Sequence, residues 1–488
     1  MGSISFDELS APKPHVVLFP FMSKGHTIPI LHLARLLIAR DLAVTVFTTS
    51  ANRPFISHFL TGTTVSIIDL PFPHDVEGTG IPQGIESTDK LPSISMIFEF
   101  ALATERMKDD FERVLETLPR PIIFMVCDDF LWWTQDSADK FDIIRLSFMG
   151  MSAYATAVCR DAAYSGVFDD QKHHSDDELI ALSRLPWISI TKNDFSPEFF
   201  NRDTQSLSSQ FHAKVFATIA RRYGQILNSF YELEPVFVDY LKNEVAIKAW
   251  CIGPLCLTQP PFRSTSTTSA GMEEDDSKPT WVRWLDQKLE KGSSVLYVAF
   301  GSQAEVSPEQ LREIAMGLEE SYVNFLWVIR KNESELPDNF GERVGERGIV
   351  VSDWVDQMEI LKHESVKGFL SHCGWNSVLE SVCVGVPILA WPFMAEQHLN
   401  ARMVHEEIKI GLRVETINGS VRGFVSGEEL RKKVKELMEG ENGRQVRKNV
   451  NELSVMAKKA VEKGGSSWQS LDSLIQETCD KAMPDVPN

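Results

Sequence analysis

Twice along its length this chain alternates short apolar, β-branched runs with helix-patterned segments, and that alternation commits it to parallel sheets covered by helices. The first instance opens with His15 to Phe19, whose length and composition suit a buried strand, followed by a turn through Ser23, Lys24 and Gly25. Pro29 stands where a first helical turn accepts it, so a helix is predicted from Ile30 to Arg40, with His32 on its exposed side. Ala43 to Thr49 supplies the next strand. Pro121 to Cys127, ending in Asp128 and Asp129, and Ile143 to Phe148 read as further strands. Residues 74–92 hold Gly, Pro, Asp and Ser without periodicity and read as a long loop.

The alternation restarts at Ser294 to Phe300 and continues through Asn324 to Ile329, Gly348 to Val351, Val366 to His372 and Val386 to Trp391. Between the two halves, the stretch QPPFRSTSTTSAGMEEDDSKP is too polar and too rich in Pro, Ser and Thr to supply a core. It reads as a linker, and 488 residues exceed the usual size of one domain. The predicted division is therefore residues 1–250, a linker at 251–280, a second domain at 281–465, and a C-terminal helix and tail at 466–488 that packs back on the first domain. The predicted fold is α/β, with two doubly wound parallel sheets facing a cleft at the carboxyl ends of their strands, where open sheets bind ligands.

A formal charge of −19, from 68 acidic against 49 basic residues, argues against nucleic acid as partner. It leaves room for a small phosphate-bearing ligand, which a few local donors can hold. The opening MGSISFDELSAPKP lacks a basic region followed by an apolar core, and no run is long enough to span a bilayer, so a cytoplasmic protein is expected. The seven cysteines are scattered and read as buried thiols. No Asp-x-Asp pair occurs, and no metal or cofactor is expected.

Within GFLSHCGWNSVLES an apolar strand meets a tight turn at Gly374 and then a helix capped by Asn376 or Ser377, whose N–H groups and dipole suit a diphosphate. His372, at the strand end, adds a donor. This turn lies inside a 44-residue segment, Trp354 to Gln397, that resembles the plant secondary product glycosyltransferase box without a gap, including Gln357, HCGWNS, Glu380, GVP and the closing AEQ. The chain is thereby similar to the plant family 1 UDP-glycosyltransferases, whose fold is GT-B. Asp356 departs from the Pro usual in that family.

The resemblance implies that Trp354 stacks on uracil with Val355 and Gln357 beside the uridine, and that Glu380 accepts from the ribose hydroxyls. It gives His372, Asn376 and Ser377 to the phosphates, and Trp375, Glu396 and Gln397 to the sugar. Gln397 implies glucose, since many galactosyl-transferring members carry His there. Ser302, after the strand that ends in Phe300, is implied as a second phosphate contact.

Removal of the acceptor's proton needs a base that works near neutral pH, and histidine suits this. The chain has 12, and His26 projects from the predicted turn after the first strand. FPFMSKGHTIPILHLARLL resembles the start of the same family, whose base is the His of this Gly-His pair. VCDDFLWW resembles the family stretch whose strand-closing Asp orients that base, which selects Asp128 and leaves Asp129 as a solvated or capping residue. The implied reaction is transfer of glucose from UDP-glucose to a hydroxyl of a small phenol, a flavonoid for instance, with inversion.

Phe21, Met22, Phe130, Trp132, Phe148, Met149 and Tyr154 are the candidate acceptor lining, with core packing as their alternative. Two other classes fit the fold: a sugar-nucleotide epimerase, which needs no acceptor base, and a non-catalytic UDP-sugar-binding protein. The pair His26 and Asp128 argues against both. A monomer is expected.

Overall fold

The computed structural model describes residues 13–73, 80–168, 175–201, 203–243, 245, 247–258, 278–329 and 336–483. Residues 74–79 of the predicted loop, 259–277 of the predicted linker and 484–488 of the tail lie outside the described residues, as does the segment before Lys13. Contacts divide the chain into two compact units, one of residues 1–149, 205–226 and 470–488, the other of residues 150–204 and 227–469.

In the first unit, β1 (His15–Phe19), β2 (Ala43–Thr49), β3 (Ser66–Leu70), β4 (Ile122–Asp128), β5 (Arg145–Phe148) and β6 (Gly224–Leu227) run parallel in the order β3-β2-β1-β4-β5-β6, six strands of a seven-stranded sheet whose last member, beside β6, is Ala249–Cys251. β1, β4 and β5 are buried at every residue, as strands must be when helices cover both faces of their sheet. Chain order reverses between β1 and β4, so the segments leaving these two strands diverge and open a crevice at their carboxyl ends. Phe19 is level with Cys127, which brings the residues after β1 beside the end of β4.

The helix α1 spans Lys24–Ile38 and so begins well before the predicted Ile30. Ser23 is its extended N-cap, and the Ser23 carbonyl accepts from the N–H of His26 at 3.0 Å and of Thr27 at 2.8 Å. Pro29 sits inside the helix, where its fixed φ is helical and only one donor is lost. His32 is buried, with its ring 5.1 Å from that of Phe59, which corrects the predicted exposure: the apolar stripe of α1 is wider than its sequence pattern implied. Residues 470–482 of the helix Ser466–Ala482 belong to this unit, where Asp472 accepts from Arg40 Nε at 2.7 Å and Glu477 accepts from the Tyr223 hydroxyl.

The second unit winds in the same sense. Its strands β7 (Val295–Ala299), β8 (Asn324–Val328), β9 (Gly348–Val351), β10 (Val366–Ser371), β11 (Ile388–Ala390) and β12 (Gly411–Arg413) form a six-stranded sheet, order β9-β8-β7-β10-β11-β12. The reversal lies between β7 and β10, with Ala299 level with Ser371. Residues 150–204 and 227–250 cluster by contacts with this unit. Buried polar pairs far apart in sequence account for it: Arg402 Nε donates to Asp194 at 2.8 Å, Ser152 Oγ to Asn400 at 3.0 Å, and Trp375 Nε1 to the Asn228 carbonyl at 2.8 Å. Among the described residues no helix is long and apolar enough to cross a membrane. All seven cysteines are free and buried or half-buried.

Candidate active site

Each unit places its candidate chemistry at its own switch point. In the first, Asp128 closes β4 and is buried, with one carboxylate oxygen accepting from the Phe130 N–H at 2.9 Å. The other oxygen meets His26 Nδ1 at 2.7 Å. An ionised carboxylate can only accept, so Nδ1 carries the proton and Nε2 is the basic nitrogen of the neutral ring. His26 stands in the first turn of α1 rather than in a loop, a more rigid mounting than the sequence suggested. The rings of Phe21 and Phe130 flank it at 5.6 and 5.1 Å.

Asp129 is neither solvated nor a helix cap. Its carboxylate is buried against the guanidinium groups of Arg145 and Arg222, each at 3.4 Å, and burial pushes its pKa up against their pull. The capping function belongs to Asp128, which opens the short turn Asp129–Leu131. The sequence offered no sign of this, because both arginines lie on later segments.

Of the candidate acceptor residues, Phe21, Met22, Trp132, Phe148 and Tyr154 are buried. They are core: Phe21 packs against Phe100 at 5.7 Å, Trp132 against Phe211 at 5.7 Å, and Tyr154 edge-on against Phe237 at 4.9 Å. Phe130 and Met149 keep partial exposure.

In the second unit, the turn after β10 carries His372, then Cys373 at φ +63°, a left-handed conformation unusual for a residue with a side chain, then Gly374. Gly374, not Asn376 or Ser377, is the N-cap of α4 (Trp375–Val384), after α2 (Ala153–Ser165) and α3 (Gln357–Lys362) in chain order. A glycine N-cap leaves the first-turn N–H groups without the side-chain acceptor that Ser or Asp would give. Gly374 and Gly301, the latter at φ +79°, both lie against His372, since a Cβ at either would fall 2.6 or 2.8 Å from Nε2. Burial pushes the His372 pKa down to about 4, so its imidazole is neutral at neutral pH. Ser302 follows Gly301 and is half-buried.

Trp354 is half-exposed, the condition for stacking on a flat ligand, while Val355 is buried. Asp356 caps α3, accepting from the N–H groups of Met358 at 2.9 Å and Glu359 at 3.3 Å. A proline there could not cap, so the departure from the family pattern exchanges backbone stiffness for a helix cap. Gln357 donates to Glu380 at 2.6 Å and to Ser377 Oγ at 2.8 Å, and accepts from the Tyr297 hydroxyl at 3.2 Å. Three residues distant in sequence are thereby locked together, and of these Tyr297 carried no sequence signal.

Burial pushes the Glu380 pKa up to about 7, with the Gln357 bond offsetting part of the shift. Between the ordinary value of 4.5 and about 7 the folded state holds more protons than the unfolded state. Stability therefore falls as pH rises through that window, by on the order of 3 kcal/mol from this group. Glu380→Gln is expected to bring the melting temperatures at pH 5 and pH 8 closer together; an unchanged gap between them rules the linkage out.

Trp375 does not present its indole to a ligand: the ring is buried, and its N–H is spent on the Asn228 carbonyl. What this position can offer is backbone at the start of α4. Glu396 is half-buried and follows Ala395 at φ +50°. Gln397 opens α5 (Gln397–Arg402), and its Oε1 accepts from the N–H groups of Phe393 at 3.0 Å and Met394 at 3.1 Å, so the amide NH2 is the end turned to a partner. Asn400, one turn on, donates to the Cys373 carbonyl at 3.0 Å; its i+3 spacing from Gln397 is a signal that sequence reading could have used.

Residues 258–462 match the family described as UDP-glucoronosyl and UDP-glucosyl transferase. UDP-glycosyltransferase 90A1 of Arabidopsis thaliana is 52% identical over 95% of this chain and 96% of its own length. UDP-glucose flavonoid 3-O-glucosyltransferase 7 of Fragaria ananassa is 34% identical over 98% of this chain and 99% of its own. Among solved structures, Medicago truncatula UGT71G1 complexed with UDP-glucose superposes with a TM-score of 0.78 at 28% identity, over 96% of this chain and 98% of that one.

Proposed function

This chain belongs to the plant family 1 UDP-glycosyltransferases, enzymes that transfer a sugar from a UDP donor, and we propose that it moves glucose to a phenolic hydroxyl with inversion. The observation that carries the reading is the 2.7 Å contact between His26 Nδ1 and the buried Asp128 carboxylate. A non-catalytic binding protein has no use for a base so oriented, and an epimerase has no acceptor hydroxyl for it to deprotonate. His26 Nε2 takes the acceptor's proton, the oxygen attacks C1 of the sugar, and the C1–O bond to UDP breaks; Asp128 stabilises the imidazolium that forms. On this reading the negative charge of the departing diphosphate is met by the N-terminus of α4, Asn376 and Ser302, and no cofactor is called for.

Glucose is favoured by Gln397, whose oxygen is engaged by two backbone N–H groups, which leaves the donors of its amide for sugar hydroxyls. A phenolic acceptor suits the Phe130 ring beside His26, and the Fragaria relative's name specifies a flavonoid. The same assignment keeps Trp354 for the uracil, with Gln357, Glu380, His372, Ser377 and Glu396 as further donor contacts.

A panel of flavonoids and simple phenols incubated with UDP-glucose, analysed by mass spectrometry and NMR, tests all of this. The expected product is a hexoside with β-configuration. An α-product overturns inversion, and UDP binding without hexose transfer to any acceptor overturns the acceptor class.

A further inference from the structure

Asn228 lies just past β6, far in sequence from the donor segment, yet it touches the start of α4 twice within the second unit. Its carbonyl accepts from Trp375 Nε1 at 2.8 Å, and its side-chain Nδ2 donates to Asn376 Oδ1 at 3.3 Å. The orientation of this side chain is not open to choice. Asn228 Oδ1 accepts from the backbone N–H of Leu255 at 3.0 Å, and an N–H can be met only by the oxygen end of an amide. The nitrogen end must then face Asn376, and a donor facing Asn376 selects its oxygen. The amide of Asn376 is thereby oriented with its NH2 turned away from Asn228.

The fit around Asn228 is close on the other side as well. A Cβ on Gly253 would fall 2.5 Å from Asn228 Oδ1, so the chain there approaches as only glycine allows. Backbone bonds from Ile252 to the Leu227 carbonyl at 3.1 Å and from Gly253 to the Ser229 carbonyl at 2.9 Å hold the two segments in register. The side chain is buried, and the Leu255 N–H it satisfies is buried too.

We propose that Asn228 is a positioning residue for the donor diphosphate, acting through Asn376 by fixing which end of that amide faces the phosphates. An amide that presents NH2 to a phosphate donates a hydrogen bond; flipped, it presents a carbonyl oxygen to an anion and repels it. The inference rests on the reading that Asn376 meets the phosphates, and it adds a relay that begins at the Leu255 N–H. Asn228→Asp retains the acceptor for Leu255 but cannot donate to Asn376, whereas Asn228→Ala removes both interactions without adding charge.

The test compares dissociation constants of UDP and uridine, by calorimetry on the full chain, in Asn228→Ala, Asn228→Asp, Asn376→Ala and the double variant Asn228→Ala/Asn376→Ala. Both Asn228 variants are expected to weaken UDP about five- to tenfold, the scale of a lost supporting hydrogen bond, with uridine changed less than about twofold. In the Asn376→Ala background, Asn228→Ala should add less than about twofold. A loss shared equally by uridine, a full effect persisting in that background, or unchanged UDP affinity in the Asn228 variants overturns the relay. If Asn376→Ala itself leaves the ratio of UDP to uridine affinity unchanged, the phosphate reading of Asn376 fails first and the relay with it.

Discussion

His26→Ala is expected to lower kcat/KM for transfer to a phenol by about 10³-fold, the usual contribution of a well-placed general base, while the dissociation constant for UDP stays within about twofold. The loss should be smaller for acceptors whose phenol is more acidic, because an acceptor already partly ionised depends less on a base. Asp128→Asn should come close to the same loss. Its carboxylate accepts from His26 Nδ1 at 2.7 Å and from the Phe130 N–H at 2.9 Å; an amide that keeps its oxygen on Phe130 turns its NH2 to His26 and stabilises the tautomer whose Nε2 carries the proton. Steady-state kinetics over a series of phenols with UDP binding measured in parallel decides the matter. Loss of UDP binding in His26→Ala, or a rate deficit independent of acceptor acidity, refutes the assignment.

The sequence carried several sheet strands well, because strands of a helix-covered parallel sheet are written as short apolar and β-branched runs: β1, β2 and the half-buried edge strand β9 have the predicted limits. It carried helix starts poorly. Pro29 suggests a helix opening, yet α1 begins at Lys24, since a proline tolerated in a first turn and one tolerated deeper look alike without the backbone. Likewise Asn376 and Ser377 have the chemistry of caps, but Gly374 holds the N-cap position and both polar side chains point to other work.

The site divides along the same line. Residues whose chemistry is written in a local motif, such as His26 and Asp128, were legible, and the structure brings those two into contact. Partners contributed by remote segments were not: Arg145 and Arg222 against Asp129, Tyr297 against Gln357, and Asn228 against Asn376. The burial of the acceptor candidates was illegible for a different reason. Aromatics following a strand can face a crevice or the core, and nothing in residue type distinguishes the two until the packing of Phe100 and Phe211 around them is known.

Trp375 gives the largest expected effect on stability. Its indole is among the largest fully buried side chains, and replacement by Ala removes that volume from the packing under α4 and strands the Asn228 carbonyl. Truncations of this kind cost about 3–5 kcal/mol, enough to lower the melting temperature by roughly 10 °C in a unit of this size. Because the indole is packed inside, Trp375→Phe, which keeps most of the volume and loses the N–H, should cost about 1–2 kcal/mol. Its preference between UDP-glucose and UDP-galactose should stay unchanged, since no indole contact with the sugar is lost. Thermal melts with donor competition kinetics distinguish the roles: a Phe variant of normal stability that loses sugar selectivity would restore the indole to the sugar site, and the buried bond to Asn228 argues for the opposite result.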